Sequence, residues 1–286
     1  MYNLGVHLRE IYNEFLGDMF MLDVMKTRTT EYALSILSAQ LVNAGLWPPS
    51  EEQMWMEDFN WQPIPTDYLE LKEDTLMLGT LCPNFLSQMD QMLQTIEVDR
   101  NELLPNWAID IFPDGAMYNV TLLEYDLLSA NSLQRQLNGG TLLGEIIGNS
   151  LKYKAGDIPK ERKILLYSGD QRNIIGVLKN LDSWSPHIPN EAAALIFELY
   201  FDNETKIYGM KINYYTGVGG ITIPLLLPNC TEICPLQSLV DIAFISMPEN
   251  PQSLCGWPIK HSIEIEDQFN STHSNISASY HTKNLI

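Results

Sequence analysis

Long apolar runs are missing from this chain of 286 residues. No window of about 20 consecutive apolar residues occurs, so none of its helices should span a bilayer. Basic residues are scarce as well: 17 Lys and Arg stand against 36 Asp and Glu, a formal net charge of -19. That balance excludes sequence-independent binding to nucleic acid or anionic lipid. It also repels a phosphate ester at long range, so phosphate chemistry here needs a local cluster of cations and the fate of each arginine matters. There is no internal repeat, nucleotide motif or Gly-rich phosphate loop, and Gly217-Val-Gly-Gly220 reads as a hairpin turn. Nothing calls for a cofactor. Histidines number only five: His7 in the first helical segment, His187 in a Pro-flanked turn, and His261, His273 and His281 in a polar C-terminal stretch.

Cysteine is limited to Cys82, Cys230, Cys234 and Cys255, an even set. Beside it stand sequons at Asn119, Asn203, Asn229, Asn270 and Asn275, many for a cytosolic protein, and the two signals together point to the secretory pathway. Cys230-x-x-x-Cys234 also invites a zinc reading. No His or second thiol lies near it in sequence, which disfavours a metal.

The composition, 45% hydrophobic, can bury a substantial core in one large α/β domain or a domain with a small insert. The first residues carry Leu4, Leu8, Ile11, Tyr12 and Phe15 at the spacing of an amphipathic helix with charges between. The most informative stretch runs from Lys163 to Leu181. Ile164 to Tyr167 is a short apolar run of strand formers, Ser168 and Gly169 break it, and Ile174 to Leu181 resumes with helical spacing. A buried strand thus delivers a polar loop into a helix start, the place where open α/β sheets hold ligands. The plainer alternative is that Asp170 only caps the helix.

Tyr167-Ser168-Gly169-Asp170-Gln171 resembles the second active-site motif of the histidine acid phosphatases, where His-Asp follows Tyr-Ser-(Gly/Ala). Arg28-Thr-Thr-Glu31 and Ala44-Gly-Leu-Trp-Pro-Pro49 are similar to the family's Arg-Ser-Thr-(Asp/Glu) motif and its Ala-Gly-Leu-(Trp/Phe/Tyr)-Pro-Pro segment. Trp61-Gln-Pro-Ile-Pro65, Cys82-Pro-Asn-Phe85, Leu104-Pro-Asn-Trp107, Leu137-Asn-Gly-Gly140, Glu198-Leu-Tyr200 and the Leu225 to Leu236 segment continue the match in order. On these strings the chain is identified as a member of that family, nearest the insect venom and prostatic types.

The resemblance implies a mostly parallel sheet flanked by helices, the phosphoglycerate-mutase-like histidine phosphatase fold. It spans residues 1 to 255, with a shortened helical cap within about 66 to 150 and a polar, disordered tail over 256 to 286. It implies disulfides Cys230 with Cys234 and Cys82 with Cys255. It implies a phosphate monoester or other phosphorylated ligand as partner, and leaves room for a homodimer. In the family a His in an Arg-His-Gly-x-Arg-x-Pro motif attacks phosphorus, arginines clamp the phosphoryl oxygens, and the Asp of His-Asp protonates the leaving group.

That first motif does not occur in this sequence. The opening helix resembles the one that comes after it in the family, so the expectation is of a missing N-terminus, with a gap in the middle of the sheet. No signal peptide is read, although the sequons and cysteines point to a secreted or lumenal, lysosomal-type location. Residue by residue, only Arg28 carries over as a phosphate-binding residue, with Leu34 at the place of the family's next Arg. Asp170 and Gln171 occupy the His-Asp positions, so no catalytic set is intact. Asp170 would repel a phosphate by about 4 kcal/mol at roughly 4 Å and an effective dielectric near 20. The sequence therefore reads as an acid phosphatase by descent that is close to inactive, or as a secreted glycoprotein pseudoenzyme that binds without turnover.

Overall fold

The computed structural model of the chain describes residues 1–96 and 116–257. The expected helix at the start is α1 (Tyr2–Leu16), and strand β1 (Met25–Thr29) leads from it into α2 (Ala33–Leu46). α1 does not bury the stripe its largest side chains predict. Leu4 and Leu16 are buried, whereas Ile11 and Phe15 are 49% and 56% exposed. The cause is a close crossing with α2. A Cβ on Gly5 would lie 2.1 Å from the Val42 carbonyl oxygen, and one on Gly45 would lie 2.3 Å from that of Tyr2. Contact through two glycines fixes which way α1 is turned and leaves Ile11 and Phe15 outside.

The short strand β2 (Thr66–Asp67) pairs in parallel with β1. Beyond it come the helices α3 (Pro83–Ile96), α4 (Ala116–Leu127), α5 (Ser132–Arg135) and α6 (Thr141–Ala155). Within the stretch assigned to a cap, the described residues from Pro83 on are mainly helical, whereas 66–82 hold β2, turns and a short 3-10 turn, and Leu104 to Trp107 lies outside the described residues. β3 (Ile164–Ser168) and α7 (Gln171–Asn180) realise the strand, loop and helix read from Lys163 to Leu181. β3 pairs in parallel with β1 from Met25↔Ile164 to Thr29↔Ser168.

A second, antiparallel sheet holds β4 (Ala194–Phe201), β5 (Tyr208–Tyr215), β6 (Thr222–Leu225) and β7 (Ile233–Pro235), with β5 bonded to the other three. The β5–β6 connection is the hairpin turn read at Gly217 to Gly220, closed by the Gly220 N–H donating to the Gly217 carbonyl at 2.8 Å. The helices α8 (Leu236–Ala243) and α9 (Pro251–Cys255) complete the described chain. The tail beyond residue 257, with Asn270, Asn275 and three histidines, lies outside it. Both disulfides form: Cα atoms are 4.8 Å apart in Cys82–Cys255 and 4.9 Å apart in Cys230–Cys234.

The two sheets lie in one layer. Leu166 packs with Ala194 and Ile196 against Leu4 and Val42 of the first two helices. On the opposite face Tyr167 joins Leu195, Phe197 and Leu199 on the core of Leu142, Leu143, Ile147 and Leu239. β3 and β4 therefore expose the same two faces to the same helices. Yet among the described residues β3 bonds only β1 and β4 bonds only β5, and every apolar residue from Ile164 to Tyr167 and from Ala194 to Leu199 is only half-buried. Among the described residues β3 and β4 each therefore end their sheet with one edge that no other strand bonds.

Candidate active site at the carboxyl ends of the parallel strands

β1 and β3 finish together, and just beyond them the Thr30 N–H donates to the Ser168 carbonyl at 3.4 Å. Glycine at position 169 makes room for Asn173, because a Cβ there would sit 2.1 Å from Asn173 Oδ1 and displace that side chain. Without that Cβ, Asn173 folds back over the loop. Its Oδ1 accepts from the Asp170 N–H at 2.9 Å, and its Nδ2 donates to the Met77 carbonyl at 2.7 Å. The Asp170 carboxylate accepts from the Arg172 N–H at 2.9 Å and caps α7, so the plainer role read for this residue is one it performs, at the very end of β3.

Gln171 is engaged at both ends of its amide. Its Oε1 accepts from the Tyr125 hydroxyl at 3.0 Å and its Nε2 donates to the Pro189 carbonyl at 2.9 Å. It therefore ties the start of α7 to α4 and to the segment before β4. Because that segment returns to the end where β3 finishes, β4 starts there and runs opposite to β3. Arg172 turns toward α4, with Nη2 3.0 Å from Glu124 Oε1.

Arg28 stands across from Tyr167 in the β1–β3 ladder and is 9% exposed. Its Nη1 donates to the Thr29 carbonyl. Its Nη2 is 2.9 Å from Oδ1 of Asp74, a carboxylate whose side chain is fully buried. Asp74 Oδ1 also accepts from the Met77 N–H at 3.0 Å. Burial pushes the Asp74 carboxyl above its ordinary value, against the opposing pull of the Met77 N–H and the Arg28 guanidinium. Tyr167 is held as a neutral phenol, chiefly by burial and then by the Glu145 carboxylate, and its hydroxyl accepts from Asn149 Nδ2 at 2.9 Å. The single cation carried over to this site is thus already compensated from within. Asp74 went unread in the sequence, since it lies in the charged run Glu70, Lys72, Glu73, Asp74 that looks like an ordinary solvated turn.

The histidines that are described are occupied elsewhere. The His7 ring stacks on Tyr215 with centroids 4.9 Å apart. His187 Nδ1 is 2.7 Å from the Ser185 carbonyl and its Nε2 is 2.8 Å from the Tyr214 hydroxyl. Among the described residues no cluster of His, Cys, Asp and Glu is arranged to hold a metal, and no helix is long and apolar enough to cross a membrane. Asn119, Asn203 and Asn229 are exposed.

The chain matches no family model. It is 31% identical to venom acid phosphatase Acph-1 of Apis mellifera, across 89% of this chain and 75% of that protein. It is 26% identical to the prostatic acid phosphatase of Homo sapiens, over 89% of this chain and 76% of the other. The lysosomal acid phosphatase of Rattus norvegicus is 25% identical over 89% of the chain and 70% of its own length. Among solved structures, the phytase from Citrobacter braakii shares the fold with a TM-score of 0.56 and 15% identity, covering 89% of this chain and 88% of that one.

Proposed function

Since this chain belongs to the histidine acid phosphatase family, we propose that it keeps the family's scaffold for a phosphate monoester while lacking the means to hydrolyse one. The observation that carries the reading is the employment of the two exchanged residues. Asp170 caps a helix and Gln171 bridges Tyr125 and Pro189, so neither position holds a proton donor or a phosphate-binding imidazole. Phosphoryl transfer rests on positioning and on cations around the phosphoryl oxygens, and Arg28 is the one such cation carried over to the site. Loss of a nucleophile from a cooperative site costs on the order of 10⁶ in rate, about 8 kcal/mol.

The unbonded edges of β3 and β4 support a second element of the reading, namely that the nucleophile of active relatives enters on a strand between them. The test is hydrolysis of an aryl phosphate at acidic pH by the purified chain, with no rate expected above a mock preparation. Asp170→His with Gln171→Asp recovers little alone, whereas the same pair with an Arg-His-Gly-x-Arg-x-Pro strand placed ahead of α1 restores turnover. Robust hydrolysis by the unaltered chain, abolished by Arg28→Ala, overturns the proposal and makes His7 and His187 the first nucleophiles to examine. The exposed sequons and the two disulfides favour a secreted or lumenal glycoprotein.

A further inference from the structure

We infer that the Arg28 site is an acid-gated receptor for the tetrahedral oxyanion of a phosphate monoester, in which Asp74 takes up one proton for each anion bound. The inference rests on the phosphate-holding role proposed above and adds its regulation.

Three buried polar atoms on Arg28, on Thr30 two residues further along the same segment, and on Asp74 ion-paired to Arg28 make no hydrogen bond: Arg28 Nη2, Thr30 Oγ1 and Asp74 Oδ2. Buried polar atoms are nearly always satisfied, so three orphans on neighbouring or paired residues mark a place where a ligand's oxygens fit. Nη2 is ion-paired with Asp74 Oδ1 at 2.9 Å, the one contact an incoming acceptor has to displace. The Thr30 hydroxyl is a second donor. Asp74 Oδ2 is the obstacle while ionised: it can only accept, and its charge cancels that of Arg28. A proton from solvent on Oδ2 removes the anion, frees the guanidinium charge, and turns the obstructing oxygen into a third donor.

The neighbouring segments carry other charged and titratable groups. Glu31 lies just past β1, Tyr167 is on β3, Glu145 on α6 and Asp170 on α7, while Glu70, Lys72 and Glu73 lie on the segment of Asp74 itself. Tyr167 remains neutral, and Asp74 alone combines full burial with an ion pair to the anion-binding cation. Burial favours its protonated form, in the direction the gate requires.

Sulfate is the probe, because it keeps its double charge across the range. Isothermal titration from pH 5 to pH 8, repeated in two buffers of different ionisation enthalpy, reads affinity and proton uptake together. The expected result is a Kd that rises about tenfold per pH unit once Asp74 is ionised in the free protein, with uptake approaching one proton per sulfate. Asp74→Asn should bind at every pH with the affinity the parent shows in acid, and Arg28→Gln should bind at none. Binding that needs Arg28 but takes up no proton in the parent overturns the gate and leaves the phosphate-holding role intact. A parent that binds no sulfate at any pH, or binding untouched by Arg28→Gln, overturns both. The proton count on the parent decides the gate even if Asp74→Asn fails to fold.

Discussion

Removing Cys82–Cys255 should destabilise the chain far more than removing Cys230–Cys234, and the difference comes from where the cysteines sit. The first bridge joins residues 173 apart in sequence and the second residues 4 apart. In the chain-entropy account, closing the long loop restricts the unfolded state by about 5 kcal/mol and closing the short one by about 2 kcal/mol. Cys82 and Cys255 are 1% and 0% exposed and pack with Phe85, Leu137 and Ile175, so losing the sulfurs adds packing loss in the same direction. Urea or thermal unfolding of Cys82→Ala/Cys255→Ala against Cys230→Ala/Cys234→Ala is the assay. At roughly 2–4 °C per kcal/mol for a protein somewhat smaller than this, the long-loop variant should melt about 10–20 °C below the parent and the short-loop variant about 4–8 °C below. Equal losses in the two variants would refute an origin in the unfolded chain and assign the effect to native contacts.

Asp170→Ala should cost about 1 kcal/mol through loss of the α7 cap, read by the same unfolding curves; an unchanged midpoint removes the capping role. Expression in a secretory host should give glycosidase-sensitive mass at Asn119, Asn203 and Asn229, mapped by peptide mass spectrometry. A secreted product unmodified at all three contradicts the glycoprotein reading.

The sequence makes plain what is local and hides what closes across distance. An apolar run and its punctuation reveal β3, its loop and α7, because a run broken by Ser168-Gly169 and resumed with helical spacing has few other outcomes. Arg28 is legible as a residue, but its state is not. Its partner Asp74 belongs to a charged run whose burial depends on α6 and α7 reaching across it, with Thr141 donating to the Leu76 carbonyl at 3.1 Å and Asn173 to that of Met77 at 2.7 Å. α1 shows the reverse error. Periodicity names Ile11 and Phe15 as core, and the glycine crossing at Gly5 and Gly45 overrides it, because periodicity counts side-chain size and cannot see backbones in contact.

The exchange at Asp170 and Gln171 weighs differently once its structural consequences are included. A His at position 170 gives up the carboxylate that accepts from the Arg172 N–H, at a cost of about 1 kcal/mol. An Asp at position 171 loses the amide donor to the Pro189 carbonyl and sets a carboxylate near that carbonyl oxygen instead, a further loss of about 1–3 kcal/mol. These are modest sums beside the roughly 8 kcal/mol that a missing nucleophile costs in rate. The exchanged pair is therefore a small stabilisation of the loop at the end of β3. On the proposed reading, in which no imidazole attacks phosphorus, a capping Asp and a bridging Gln serve the fold better than a His and an acid would, and Arg28 with Asp74 is the part of the site proposed to respond to an anion.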